Sequence, residues 1–192
     1  TGGCGFMGSN FIRYVLANAP EAEIVNYDAL TYAGNPLPDK SHSYNLTDLE
    51  GNQRYKFVNG DVCDAEKLDS AMKGTDVVVH FAAETHVDNA LHTPEIFVHT
   101  NVLGTKRLLA AARKHSVKRF HYISTDEVYG SAKTEGAYNE ETALNPSNVY
   151  SASKASAELL CKAYNKTFKL PITVTRSANN FGPYQFPEKV IP

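Results

Sequence analysis

Residues 1–8 read TGGCGFMG, and the expected architecture follows from the spacing of their glycines. Gly2, Gly5 and Gly8 fit the pattern G-x-x-G-x-x-G, and a second pattern, G-x-G-x-x-G, begins at Gly3. Such glycines permit a tight turn, close approach of the backbone to a pyrophosphate, and packing of a helix on a strand. The helix that follows would direct its free N–H groups at the phosphates. The loop therefore predicts a dinucleotide-binding fold.

An acidic residue at a suitable distance supports this interpretation. Asp28 ends the strand-like run EIVNYD, residues 23–28, about 20 residues after Gly8, where a carboxylate can hydrogen-bond the hydroxyls of an adenosine ribose. No arginine or lysine lies between Asp28 and Asp39, so a 2′-phosphate would meet this carboxylate without a compensating charge. The expected cofactor is therefore NAD rather than NADP.

Strand-like and helix-like runs alternate along the rest of the chain. This alternation predicts a doubly wound parallel sheet with helices on both faces, a Rossmann-like α/β domain. Ligands of such a sheet bind beyond the carboxyl ends of its strands, so the residues directly after the strands are the candidates for a site. Helices are expected over 5–18, 64–73, 94–115 and 150–168, strands over 23–28, 55–59, 76–81, 119–124 and 172–175, and a loop over 31–53.

The position of the glycine loop bears on domain organisation. Such a loop normally follows a buried strand, and no strand precedes Thr1. We therefore expect an internal portion of a longer protein, truncated at the first strand. Residues 1–192 would form the NAD-binding domain, with the start of a substrate-binding region at 179–192 and the remainder of that domain outside the sequence.

Composition excludes several classes of protein. Hydrophobic residues make up 42% and charged residues 21% of the 192 residues, which argues against a disordered chain. The net charge of −2, without a basic run, gives no reason to expect nucleic acid or a membrane as partner. The cysteines Cys4, Cys63 and Cys161 lie far apart, which argues against a disulfide framework and a metal site and favours a cytoplasmic location.

A pair of side chains with catalytic chemistry lies in the run YSASK, residues 150–154. Tyr150 and Lys154 are four residues apart and share one face of the predicted helix. An adjacent ammonium can lower the pKa of a phenol, ordinarily about 10, by roughly 1–3 units. The pair therefore predicts that Tyr150 acts as a base on a sugar or alcohol hydroxyl. The alternative is an incidental exposed pair.

These features together resemble the extended short-chain dehydrogenase/reductase family. Further matches follow the predicted strands at Asp61-Val62, Phe81-Ala82-Ala83 and Ser124-Thr125. Three stretches narrow the resemblance to the nucleotide-sugar 4,6-dehydratases, and most closely to the dTDP-glucose 4,6-dehydratases: AETHVD at 83–88, STDEVYG at 124–130 and NNFGPYQFPEK at 179–189. The resemblance extends over essentially the whole chain.

The resemblance implies an enzyme that converts dTDP-glucose to its 4-keto-6-deoxy derivative, as in deoxysugar biosynthesis, by NAD-mediated internal redox and loss of water. Asp126 would protonate the departing C6 hydroxyl and Glu127 would abstract the C5 proton. Two adjacent carboxyl groups can divide these tasks if their environments separate their pKa values. Thr125, Tyr150 and Lys154 would complete the catalytic set. The alternative is that Asp126 caps a turn while Glu127 is solvated.

Binding residues and partners are implied by the same resemblance. The partners would be a nucleotide-sugar substrate and a second copy of the chain, paired through the helices around 94–115 and 150–168. Thr85, Thr125, Asn179, Glu188, Lys189 and Val190 would bind the substrate. The NAD site would comprise Gly2, Gly5, Phe6, Met7, Gly8, Asp28, Ala29, Leu30, Thr31, Asp61, Val62, Phe81, Ala82, Ala83, Thr100, Tyr150, Lys154 and Asn180.

Other functions are compatible with the same motifs. A UDP-glucose 4,6-dehydratase or a nucleotide-sugar epimerase would carry the same glycine loop and catalytic pair, and residues that recognise the base would lie beyond Pro192. A non-catalytic NAD-binding module is the third hypothesis. The presence of Asp126, Glu127, Tyr150 and Lys154 argues against it, because a scaffold does not require their chemistry.

Overall fold

The computed structural model describes residues 1–131 and 136–187, and its strands form two parallel sheets. In one sheet, β1 (Ile24–Asp28) pairs with β2 (Tyr55–Asn59). The other has the order β3 (Val77–His80), β4 (Arg119–Thr125) and β5 (Ile172–Ser177). These parallel pairings with intervening helices confirm the predicted α/β class.

The start of the glycine loop connects the two sheets. The amino group of Thr1 donates a hydrogen bond to the carbonyl of Val79 at 2.9 Å, and the N–H of Phe81 donates to the carbonyl of Thr1 at 3.1 Å. On the other side, the N–H of Gly2 donates to the carbonyl of Tyr27 at 3.1 Å. The loop therefore begins between β1 and β3, at the carboxyl ends of both strands.

Helices pack on these sheets and bury a shared apolar core. Leu68, Leu108, Phe120 and Ala157 are among its almost fully buried members, and they come from helices and from β4. The helices are α1 (Phe6–Asn18), α2 (Ala65–Met72), α3 (Asn89–His92), α4 (Pro94–Phe97), α5 (Thr105–Lys114) and α6 (Val149–Phe168).

The helix expected over 94–115 is continuous from Pro94 to Lys114, but its middle is not α-helical. Pro94 does occupy the first turn of α4, but Val98–Gly104 is π-helical before α5 begins. Within this segment the buried amide of Asn101 accepts a hydrogen bond from the N–H of Glu84 at 2.8 Å and donates to the Glu84 carbonyl at 3.0 Å. The wide turn thereby anchors the chain directly after β3. Single π turns are frequent at functional sites.

The expected loop over 31–53 is more ordered than its composition predicts. It contains 3₁₀ turns at Tyr32–Gly34 and Tyr44–Leu49 and an antiparallel bridge between Pro36 and Ser43. The buried side chain of Asn45 donates a hydrogen bond to the carbonyl of Cys4 at 2.8 Å. The segment 31–53 therefore holds the backbone of the glycine loop at Cys4.

Gly130 offers a test of how tightly the chain after β4 is packed. Its φ is +88°, and a Cβ there would lie 2.3 Å from the carbonyl oxygen of Asn145. Gly74 has a similar φ of +76° with open space around it. Gly74→Ala should cost about 1–2 kcal/mol from backbone strain. Gly130→Ala should cost a further 1–3 kcal/mol or so because of the clash. Urea unfolding measures both, and equal losses would contradict the packing described.

A candidate active site at the carboxyl edge of the sheets

A cavity of about 540 Å³ runs along the carboxyl ends of the strands. This volume is typical of small-molecule and cofactor sites. The glycine loop and Asp28 line one part of it, and Tyr150 and Lys154 line another. The fold therefore brings together two groups of residues that are more than a hundred positions apart in the sequence.

The predicted binding residues can be located on this cavity. All those expected around NAD line it except Leu30, which is buried and donates its N–H to the Asp28 carboxylate at 2.8 Å. Of the expected substrate residues, Thr85, Thr125 and Asn179 line the cavity. Glu188, Lys189 and Val190 lie outside the described residues.

The predicted catalytic residues divide in the same way. Thr125, Glu127, Tyr150 and Lys154 line the cavity. Asp126 is not a lining residue; its carboxylate accepts a hydrogen bond from the hydroxyl of Thr125 at 3.3 Å. Asp126 therefore does not line the cavity itself, although both of its neighbours in the sequence, Thr125 and Glu127, do.

The glycine loop fits a pyrophosphate. A Cβ on Gly2 would lie 2.4 Å from the backbone nitrogen of Ala82, and one on Gly8 would lie 2.3 Å from the carbonyl oxygen of Gly2. Only glycine permits these approaches. No side chain caps the N-terminus of α1 at Gly5, so the first turn of this 13-residue helix presents backbone N–H groups toward the loop. Such a helix terminus favours an anion.

Asp28 fits the ribose of a dinucleotide. Its carboxylate is largely buried, where it accepts hydrogen bonds from the N–H groups of Cys4 at 2.9 Å and Leu30 at 2.8 Å. Burial raises the pKa of the carboxyl, while the two N–H donors oppose that shift. Because each carboxylate oxygen can accept a second hydrogen bond, the group can still serve a ligand. The loop and Asp28 together are therefore suited to NAD.

The pKa predicted for Tyr150 is wrong. Burial, followed by the carboxylate of Glu127, raises the pKa of the phenol to about 12, and a hydrogen bond with Thr125 only partly opposes this. The Lys154 ammonium donates instead to the carbonyl of Ile123 at 2.6 Å. Burial lowers the pKa of Lys154 to about 7, with Cys161 and Glu158 opposing the shift. Helical spacing alone could not reveal how deeply the pair is buried.

A short 3₁₀ turn, Asp126–Tyr129, holds the two predicted carboxyl groups directly after β4. Thr125 caps this turn, since its hydroxyl accepts from the N–H of Glu127 at 3.3 Å. The alternative in which Asp126 is the cap is therefore wrong. The side-chain amide of Asn148 donates to the Glu127 carboxylate at 3.2 Å. Glu127 is thus oriented by the residue that caps the N-terminus of α6.

Several residues that line the cavity were not among the predicted site residues, and Ser124 and Phe186 are the most informative of them. Ser124 is buried, and its hydroxyl has no hydrogen-bond partner among the described residues. Its place beside Thr125 at the end of a strand was the available signal. Phe186 packs edge-on against Tyr32, with ring centroids 5.3 Å apart. That contact joins distant parts of the chain, and no local pattern could reveal it.

The described residues contain no group of three or more His, Cys, Asp or Glu side chains that could hold a metal ion. Cys4, Cys63 and Cys161 are buried and unbridged. Over the same residues, none of the helices has the length and apolar character required to cross a membrane.

A comparison with protein-family models and curated proteins relates the chain to sugar-nucleotide enzymes. The model described as GDP-mannose 4,6 dehydratase matches residues 1–192. A dTDP-glucose 4,6-dehydratase of Streptomyces niveus is 46% identical over all of this chain and 56% of its own length. The chain therefore spans little more than half the length of such a relative.

Solved structures give a concordant result. A dTDP-glucose 4,6-dehydratase from Streptomyces venezuelae, crystallised with NAD, has 44% identity and a TM-score of 0.93 over 100% of this chain and 58% of its own. A UDP-glucuronic acid 4-epimerase from Bacillus cereus, with UDP-glucuronic acid and NAD, has 31% identity and a TM-score of 0.87 over 98% of this chain and 58% of its own.

The burial of Lys154 predicts a pH-dependent stability. Its pKa of about 7 in the folded protein lies below the ordinary 10.5, so between these values the unfolded chain binds more protons and stability rises with pH. Lys154→Met removes this effect. The variant should therefore have a larger free energy of unfolding than the wild type. This difference should be largest below pH 7 and should diminish toward pH 10.5.

Denaturant unfolding across this pH range measures the difference. Lys162→Met, at an exposed position of the same helix, is the matched control and should show a difference that does not vary with pH. A difference for Lys154→Met that is equally flat would mean that the ammonium is not buried at a cost.

Proposed function

Because the chain belongs to the GDP-mannose 4,6-dehydratase family, within the extended short-chain dehydrogenases/reductases, we propose that the whole protein is an NAD-dependent nucleotide-sugar 4,6-dehydratase. The proposed reaction converts dTDP-glucose to dTDP-4-keto-6-deoxyglucose. The supporting observation is the single cavity that joins a glycine loop and Asp28 to Tyr150, Lys154 and Glu127. A dinucleotide and a substrate that needs acid–base chemistry could therefore be bound side by side in one cavity.

NAD would be held by the glycine loop and Asp28, with Asp61 and Thr100 on the adjoining wall. Once bound, it would supply first a hydride acceptor and then a hydride donor, with a positive charge that favours ionisation of a nearby phenol. Asp28 would select against a 2′-phosphate by repulsion. Lys154 is the only cationic side chain lining the cavity in ranges 1–131 and 136–187, so the pyrophosphate would depend on backbone N–H groups.

Oxidation of the sugar at C4 would fall to Tyr150. A base must accept the O4 proton as the carbon loses its hydride. The pKa of about 12 keeps the phenol protonated near neutral pH, so its ionisation requires positive charge nearby. Lys154, one helical turn away, provides such a charge when protonated.

Loss of water would fall to the carboxyl pair. A 4-keto group makes the C5 hydrogen acidic, and Glu127, which lines the cavity, would accept that proton. Asp126 would protonate the departing C6 hydroxyl. Their surroundings differ, since Glu127 accepts from the amide of Asn148 and Asp126 accepts from the hydroxyl of Thr125.

The choice of dTDP-glucose rests on similarity. Identities of 44–46% to dTDP-glucose 4,6-dehydratases exceed the 31% to a UDP-glucuronic acid 4-epimerase. UDP-glucose, the substrate of the alternative dehydratase, is therefore the one to compare directly.

A cytoplasmic homodimer completes the proposal. Free cysteines suit a reducing compartment. The helices expected to pair also expose large apolar side chains, including Ile96, Val98, Leu159 and Phe168. Apolar side chains on adjacent helices would be shielded from water in a helix-to-helix interface.

The two chemical steps can be separated by substitution in the full-length protein. Asp126→Asn should reduce formation of the 4-keto-6-deoxy sugar by about 10²–10⁴-fold, the usual contribution of a general acid. Because oxidation at C4 does not need this carboxyl, the near-ultraviolet absorbance of reduced nicotinamide should rise transiently. Glu127→Gln should instead slow exchange of the C5 hydrogen with solvent deuterium.

The 4-keto product is measured by its absorbance in alkali, with dTDP-glucose and then UDP-glucose as substrate. Glu141→Gln, at an exposed position, is the control and should behave as the wild type. An unchanged rate of product formation by Asp126→Asn would refute the role assigned to that carboxyl. Faster turnover of UDP-glucose than of dTDP-glucose would refute the choice of dTDP-glucose as the substrate.

A further inference from the structure

An ion pair between a partly exposed arginine and a buried glutamate joins β5 to α6 next to the candidate active site. Arg176 on β5 donates to both carboxylate oxygens of Glu158 on α6: Nε lies 3.1 Å from Oε1, and Nη2 lies 2.6 Å from Oε2. Glu158 is only 5% exposed. Two parallel charge-assisted bonds fix the orientation of the guanidinium as well as its position.

The same guanidinium reaches the turn that carries the two carboxyl groups. Its Nη1 donates to the hydroxyl of Tyr129 at 2.7 Å, and the tyrosine ring lies 4.9 Å from the guanidinium carbon. Tyr129 is the last residue of the turn Asp126–Tyr129. Arg176 therefore holds the end of the turn opposite to the end capped by Thr125.

The other partner of Arg176 belongs to the helix of the oxidation pair. Tyr150, Lys154 and Glu158 are spaced four residues apart along α6, which places them on one face of the helix. All three are buried. Arg176 consequently links the helix that carries Tyr150 and Lys154 to the turn that carries Asp126 and Glu127.

We propose that Arg176, oriented by Glu158, is a positioning residue that sets the Asp126–Tyr129 turn against Tyr150 and Lys154. This inference rests on the proposed function. None of Arg176, Glu158 and Tyr129 is among the residues that line the cavity, so the link acts on a sugar only through the turn and the helix. Elimination requires that the carboxyl groups meet a sugar whose C4 is held at Tyr150, and small misplacements of reacting groups cost large factors in rate.

A purely structural role makes a different prediction. Buried ion pairs often contribute little to stability relative to apolar substitutes, while removal of one partner destabilises the protein. Loss of folded enzyme would reduce oxidation and elimination by the same factor. Misplacement of the turn would reduce elimination alone, so the ratio of the two steps separates the roles whatever fraction of the protein is folded.

Tyr129→Phe in the full-length protein is the decisive variant, because it removes one hydrogen bond and leaves the ion pair in place. With dTDP-glucose, we expect formation of the 4-keto-6-deoxy sugar to fall about tenfold or more. The initial rate of nicotinamide reduction should stay near that of the wild type, so reduced nicotinamide should accumulate. Tyr164→Phe, near the C-terminal end of α6, is the matched control and should leave both rates unchanged.

Arg176→Lys and Glu158→Gln test the rest of the link. Both should shift the ratio of the two steps in the same direction, and Arg176→Lys should shift it less than Arg176→Met, because lysine keeps the positive charge and can still donate hydrogen bonds. Urea unfolding reports the folded fraction of each variant. If Arg176→Met does not fold, Tyr129→Phe still decides the matter.

The outcomes separate this inference from the proposed function. A wild-type protein that makes no 4-keto-6-deoxy sugar from either nucleotide sugar would overturn the proposed function and this inference with it. An active wild type whose Tyr129→Phe variant retains the wild-type ratio of the two steps, at any overall rate, would overturn the positioning role alone.

Discussion

A buried ammonium group imposes the constraint on which the site depends. Lys154 is 3% exposed, and a charge in the interior is costly unless it is hydrogen-bonded. Its bond to the carbonyl of Ile123 fixes α6 against the end of β4. Tyr150 lies one turn before it and Glu158 one turn after it. Once this contact is made, the phenol faces the cavity and the carboxylate faces Arg176.

The cofactor side of the cavity has a comparable anchor in Cys4. Its N–H donates to the carboxylate of Asp28, and its carbonyl accepts from the side chain of Asn45. Each of these bonds is buried, so each would be costly to leave unmade. The backbone of the glycine loop is therefore held from two sides. Asn45 of the segment 31–53 holds one side, and Asp28, the residue expected to contact ribose, holds the other.

The sequence predicted what local periodicity and spacing determine. The strands and most helix positions are those of the structure, and the residues expected around NAD, except Leu30, line one cavity, although the roles of these residues remain proposals. It did not predict the π-helical segment at Val98–Gly104, because the buried amide of Asn101 makes bonds to residues far along the chain. The raised pKa of Tyr150 depends on burial, which spacing does not report. The link through Arg176 joins three elements and has no local signature.

The proposed function requires that the hydride lost from C4 returns, through NAD, to C6 of the same bound sugar. The most direct test gives the full-length protein dTDP-glucose that carries deuterium at C4, in ordinary water, and locates the label in the product by NMR. The account predicts a 4-keto-6-deoxy sugar with deuterium at C6. Deuterium retained at C4 of an epimerised sugar, or lost to solvent, would contradict it.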